Sequence, residues 1–120
     1  MTVYAIAMFS ITDRATYGKY QAQFMSVLNR HKGRLLAADE HPAVLEGNWD
    51  RDKVVVLSFA NEADFREFAD SPEYQEISKD RRAGTDGFVV LVRGVPEMRI
   101  GDDAGPRAKD PSNNLHALGR

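Results

Sequence analysis

The 120-residue chain has no cysteine. Disulfides, thiolate metal sites and a cysteine nucleophile are therefore excluded. It also lacks an excess of charge of one sign: 16 Lys and Arg against 18 Asp and Glu leave a net charge of −2. No global field draws nucleic acid or an anionic membrane, so neither is expected as a partner. No apolar run approaches the ~18 residues that a membrane span needs. The opening stretch Met1 to Ser10 lacks the basic start of a secretory signal and reads as a strand. The expectation is a cytoplasmic protein.

Chemical motifs are equally scarce. There is no phosphate-cradling glycine pattern, no nucleophile elbow around Ser71, and no His pair at helical spacing. Asp39-Glu40-His41 suggests a metal only superficially, because adjacent residues rarely converge on one ion. His31 is the one modest candidate for a haem ligand, and His116 lies near the C-terminus. No metal and no cofactor are expected.

What is present is an ordinary globular composition, 42% hydrophobic and 28% charged, at a length that suits one domain. Residues 3–11 alternate, but both alternating sets are apolar: Tyr4, Ile6 and Met8 on one side, Val3, Ala5, Ala7, Phe9 and Ile11 on the other. Such a strand needs a cover on each face. Thr12 or Asp13 caps the helix that follows, whose apolar stripe runs through Tyr17, Tyr20, Phe24, Val27, Leu28 and His31. Gly33 stands where a left-handed helix end would need it. Residues 34–38 and 43–46 read as a short strand pair, or as one edge strand broken at His41-Pro42. Residues 48–52 read as a turn, and Lys53 to Phe59 as the clearest strand of the chain.

Asn61 caps a second helix, which Ser71-Pro72 interrupts and restarts. Arg81 and Arg82 close it in favour of the helix dipole. Gly84 and Gly87 mark a turn into a last strand, Phe88 to Arg93. The order β-α-β-β-α-β is that of a ferredoxin-like α+β sandwich, an antiparallel sheet with two helices on one face. The bare face would expose a large apolar patch, and a second copy packed sheet to sheet is the economical cover, so a homodimer is expected. Residues 94–120 hold three of the five prolines and four of the nine glycines. A domain over 1–95 and a tail over 96–120, flexible or docked through Leu115 and Leu118, are therefore expected.

The chain resembles the domain-of-unknown-function family 1330, of the dimeric α/β-barrel group, over about residues 3–95. The resemblance rests on Tyr4, Asp13, Tyr20, Gly33-Arg34, Glu46-Gly47 with Trp49, the strand Val54 to Phe59, Ser71-Pro72-Glu73-Tyr74-Gln75 and Arg81. The Glu-Gly-x-Trp turn paired with Ser-Pro-x-Tyr is its most specific part. Lys32, Ala60 and Ala69 depart from the family pattern, and Ala69 reshapes what its helix covers. The resemblance implies no particular activity, since relatives of this group include cofactor-free monooxygenases, isomerases, haem enzymes and plain binding domains.

Seven residues bear on a site, and all but Tyr17 are kept as site candidates. Glu46 beside Trp49 reads either as a general base of raised pKa or as a turn-holding acceptor. Arg34 and Arg81 read either as clamps for a substrate carboxylate or as members of internal ion pairs. Tyr17, Tyr20 and Tyr74 carry phenols on apolar helical faces, where most tyrosines are core residues with a satisfied hydroxyl. The expectation is a homodimeric small-molecule protein with a cleft lined by Tyr20, Arg34, Glu46, Trp49, Tyr74 and Arg81. If it is an enzyme, the chemistry is cofactor-independent proton abstraction or isomerisation, with Glu46 as base and Arg81 as anion clamp. The alternative is a non-catalytic binding or assembly module.

Overall fold

A computed structural model describes residues 1–96. Seven elements follow in the order β1 (Val3–Ile11), α1 (Arg14–Leu28), β2 (Arg34–Asp39), β3 (Lys53–Phe59), α2 (Glu62–Ala69), α3 (Pro72–Gly84) and β4 (Thr85–Arg93). The strands form one sheet in the order β2-β3-β1-β4, with every neighbouring pair antiparallel. This is the ferredoxin-like α+β sandwich, its second helix divided into α2 and α3 at Ser71-Pro72. Among the described residues, no helix is long and apolar enough to cross a membrane. The expected tail, with Leu115, Leu118 and His116, lies outside the described residues except for its first residue, Pro96.

Each helix starts on a side chain that accepts from a free first-turn amide. Asp13 Oδ1 accepts from Thr16 N at 3.1 Å, Asn61 Oδ1 from Asp64 N at 2.8 Å, and Ser71 Oγ from Tyr74 N at 3.2 Å. Ser71 Oγ also donates to Phe68 O at 2.8 Å, so one buried hydroxyl ends α2 and begins α3. Pro72 occupies the first turn of α3, where its missing N–H costs nothing.

The core lies between the helices and one face of the sheet. Val3, Ala5 and Phe9 of β1 and Leu57 and Phe59 of β3 meet Tyr17, Tyr20, Val27 and Leu28 of α1, Phe68 of α2 and Ile77 of α3. The register fixes the other face: Tyr4, Ile6 and Met8 of β1 stand beside Val92, Val90 and Phe88 of β4. Phe88, Val90 and Val92 are 47%, 42% and 42% exposed. The doubly apolar pattern of β1 therefore has one face packed and one open.

Three local expectations change. Gly33 is not a left-handed helix end; α1 stops at Leu28 with Asn29 as its cap, and only Gly47 among the described residues has a positive φ, +83°. Gly33 is needed because a Cβ there would lie 2.5 Å from Phe59 Cε2 and 2.8 Å from Leu28 Cδ1. The last strand begins at Thr85 rather than Phe88. Gly84 belongs to α3, pressed on the backbone of Tyr17, and Gly87 is a strand residue pressed on Met8 and Phe9. Residues 43–46 form no strand, and β2 alone makes that edge of the sheet.

The described residues divide into two units, one of residues 1–42 and 50–94, the other holding residues 43–49 with 95 and 96. Within the second, Glu46 is exposed, Leu45 is 85% exposed, Trp49 is half-buried, and Gly47 makes the left-handed turn.

Candidate functional site

The first unit holds a cavity of about 370 Å³ between the sheet and its helices. Its floor is the helix-facing row of the sheet: Ala5, Ala7 and Phe9 of β1, Val55 and Leu57 of β3, Val89 of β4. The two alanines matter, because larger residues at the centre of that floor would fill the space. Its walls are aromatic, with Tyr17, Tyr20 and Phe24 from α1, Phe68 from α2 and Tyr74 from α3. These rings pack on one another: Phe68 and Tyr74 centroids are 4.5 Å apart and Tyr20 and Tyr74 6.2 Å. Rings held in a mutual lattice keep a cavity open where single aliphatic side chains would collapse into it.

The polar groups of the lining are few. Tyr20 and Tyr74 share a hydrogen bond between their hydroxyls at 3.0 Å. Burial first, and then the neighbouring Tyr74, pushes the Tyr20 phenol well above the ordinary tyrosine range, with Arg81 pulling weakly the other way. Tyr20 is thus a neutral phenol at physiological pH, a hydrogen-bonding group rather than a phenolate base. Arg81, in the last turn of α3, also lines the cavity. Its Nε is buried and has no hydrogen-bond partner, and among the described residues no carboxylate lies within salt-bridge distance of its guanidinium. An unpaired guanidinium nitrogen in an apolar setting is costly. Lys53 is the one cationic residue buried as a whole among the described residues, 5% exposed, with Nζ 5.1 Å from the centroid of the Tyr17 ring. Arg82 completes a lining with three cationic residues and one carboxylic residue, the exposed Asp70.

Of the six candidates, the cavity brings together Tyr20, Tyr74 and Arg81. Arg34 pairs with Ser58 and so stands on the opposite, open face of the sheet. Glu46 and Trp49 belong to the second unit and are not among the lining residues. Lys53 was not among the candidates, because a lysine opening a strand ordinarily reads as a solvated end. Only its pairing with Phe9, which turns it to the helix side, signals otherwise. Among the described residues no three His, Asp or Glu side chains gather as a metal group.

With this geometry in view, comparisons with known proteins assign a family. A profile described as "Domain of unknown function (DUF1330)" matches residues 2–95. The chain belongs to that family. Among solved structures, the DUF1330 chain is similar to a protein of unknown function from Rhodopseudomonas palustris, with a TM-score of 0.67 and 18% identity over 80% of this chain and 84% of that one. It is also similar to SnoaB, a cofactor-independent oxygenase from Streptomyces nogalater, with a TM-score of 0.59 and 15% identity over 82% and 98% of the two chains. HapK from Hahella chejuensis is a further structural relative, with a TM-score of 0.55 and 12% identity over 82% and 97%. At such identities the likeness establishes the fold, the ferredoxin-like α+β sandwich, and not the reaction. No curated protein matches the sequence.

Proposed function

We propose that this DUF1330 protein is a homodimer that binds a small, flat, carboxylate-bearing metabolite of the cytoplasm in the cavity between sheet and helices. The observation that carries this is the Arg81 guanidinium, set in an aromatic cavity with a buried Nε that has no hydrogen-bond partner among the described residues. A ligand carboxylate supplies both the missing acceptor and the missing charge. Tyr20 and Tyr74 offer hydroxyls beside it, and Phe24 and Phe68 offer faces for a planar body. The catalytic form of this reading is a cofactor-free proton abstraction or isomerisation of that ligand, with Arg81 as its anion clamp. The structural relative SnoaB, a cofactor-independent oxygenase, agrees with cofactor-free chemistry on this fold.

The second reading is a binding or assembly module without turnover. It is favoured by the lining itself, which offers no buried carboxylate: Asp70 is its one acid and is exposed. Native mass spectrometry after exposure to a metabolite mixture tests the proposal, run on the wild type and on Arg81→Met. We expect the wild type to retain an acid and Arg81→Met to lose it at an unchanged melting temperature. An empty wild type with a destabilised Arg81→Met would overturn it, making Arg81 architectural. Incorporation of solvent deuterium into the retained acid by the wild type distinguishes turnover from binding.

A further inference from the structure

The geometry points to Lys53 as a second anion anchor, which sets the ligand's direction: acidic head toward Lys53 and Arg81, apolar body toward Phe24 and Phe68. The inference rests on the reading of the cavity as a ligand site and specifies the class of ligand it takes.

The argument begins with the charge balance at Lys53. Among the described residues its one carboxylate within 4 Å is Glu40, with Nζ to Oε2 at 3.8 Å, too long for a hydrogen bond. Glu40 is engaged elsewhere, since Arg14 donates to its Oε1 at 3.1 Å and its Oε2 at 3.5 Å. Lys53 is thus nineteen-twentieths buried, lines the cavity, and shares an acid that another cation already holds. The face of Tyr17 attracts the ammonium but accepts no full hydrogen bond from it. Among the described residues no acceptor lies within hydrogen-bond distance of Nζ, so an ammonium that lines the cavity has donors to offer a ligand.

The register then supplies direction. Lys53 opens β3 opposite Phe9, close to the end of β1. Arg81 sits one helical turn before Thr85, which pairs with Ile11 at the end of β1. Both cations therefore stand at the same end of the sheet, where β1 finishes and β3 and β4 begin. Tyr17 is at that end too, with its ring 5.4 Å from Phe9. At the other end, Phe59 pairs with Val3 and packs on Phe68, 5.5 Å away, which in turn meets Phe24 at 6.3 Å. Among the described residues, the cationic side chains of the lining, Lys53, Arg81 and Arg82, are not at that end, which offers mainly ring faces. A molecule filling the cavity has its acid where the cations are and its hydrocarbon where the rings are.

Titration of the isotope-labelled full chain with 2-naphthylacetate and with its neutral amide, followed by amide NMR shifts, tests this. We expect the acid to bind at least about tenfold tighter than the amide, the gain from one charge-assisted hydrogen bond. Lys53→Met should lose about tenfold toward the acid and nothing toward the amide, and Lys53→Arg should restore the preference. Methionine matches lysine in length and removes a buried charge while Arg14 still pairs with Glu40, so the fold survives. Unchanged acid binding in Lys53→Met, with shifts still at Tyr17 and Tyr20, would overturn the second anchor and leave the cavity reading intact. Saturable shifts absent from the cavity residues would overturn both.

Discussion

The Tyr20–Tyr74 pair shows how a single contact serves stability and site at once. Two phenols bonded at 3.0 Å tie α1 to α3 across a space that ligand-sized molecules fit. Removing one hydroxyl leaves the other without its partner, and Tyr20 is buried enough for that to matter. Tyr74→Phe is expected to cost about 1–2 kcal/mol in urea unfolding. The double change Tyr20→Phe with Tyr74→Phe should cost less than the sum of the two single changes, because it leaves no orphan. Additive losses would mean that the bond contributes nothing of its own. The residues of this site were unevenly legible. Tyr20 and Tyr74 declared themselves through helical spacing, and Arg81 through its place at a helix end. Lys53 was hidden, since facing inward is a property of strand pairing that a local pattern cannot carry. Arg34 is the converse: its sequence neighbours suggested the cleft, and its pairing with Ser58 turns it away.

Among the elements, the helix starts share an electrostatic design. Asp13 caps α1, and the amide of Thr16 holds its carboxyl below the ordinary range. Glu62 in the first turn of α2 is held low by Arg66, and Glu73 in the first turn of α3 by its own backbone N–H and then by His31. Each carboxylate is depressed in the folded state, so its contribution is present above the unfolded carboxylate range, roughly pH 4, and is lost as pH falls through the lower folded values. The melting temperature should therefore fall as pH drops below about 4. Asp13→Asn retains a capping acceptor but cannot titrate, so its melting curve should fall less steeply over that window. Equal slopes for the two proteins would remove Asp13 from the acid transition. Element order was readable because capping residues, Ser71-Pro72 and the alternation in β1 and β3 are local signals. The start of β4 was misread for a physical reason: Gly84 and Gly87 look like turn glycines. Both are instead points of close approach to α1 and β1 that exist only once the chain has folded.

For the molecule as a whole, the decisive feature is the face of the sheet that the helices leave bare. An antiparallel sheet with one solvated face alternates apolar inward with polar outward. Here the outward row is Tyr4, Ile6 and Met8 beside Val92, Val90 and Phe88, with Val54 and Val56 of β3 on the other flank. Water on such a surface is unfavourable by about 25 cal/mol per Å² of apolar area. A second copy stacked through the same face removes that area from both sheets at the usual spacing of roughly 10 Å. In the proposed homodimer that contact is self-complementary, so one patch serves both partners and the assembly closes as a pair. Val90, paired with Ile6 in the middle of β4, is the informative position. Its side chain points away from the helix-side core, so Val90→Glu leaves that core unchanged while setting two carboxylates against each other across the interface. Size-exclusion chromatography with light scattering should give twice the chain mass for the wild type at micromolar concentration and the single-chain mass for Val90→Glu. Circular dichroism should show native helix content in both. A wild type that runs as a monomer would mean that this face meets a different partner, and a dimer that survives Val90→Glu would move the interface to another surface of the chain.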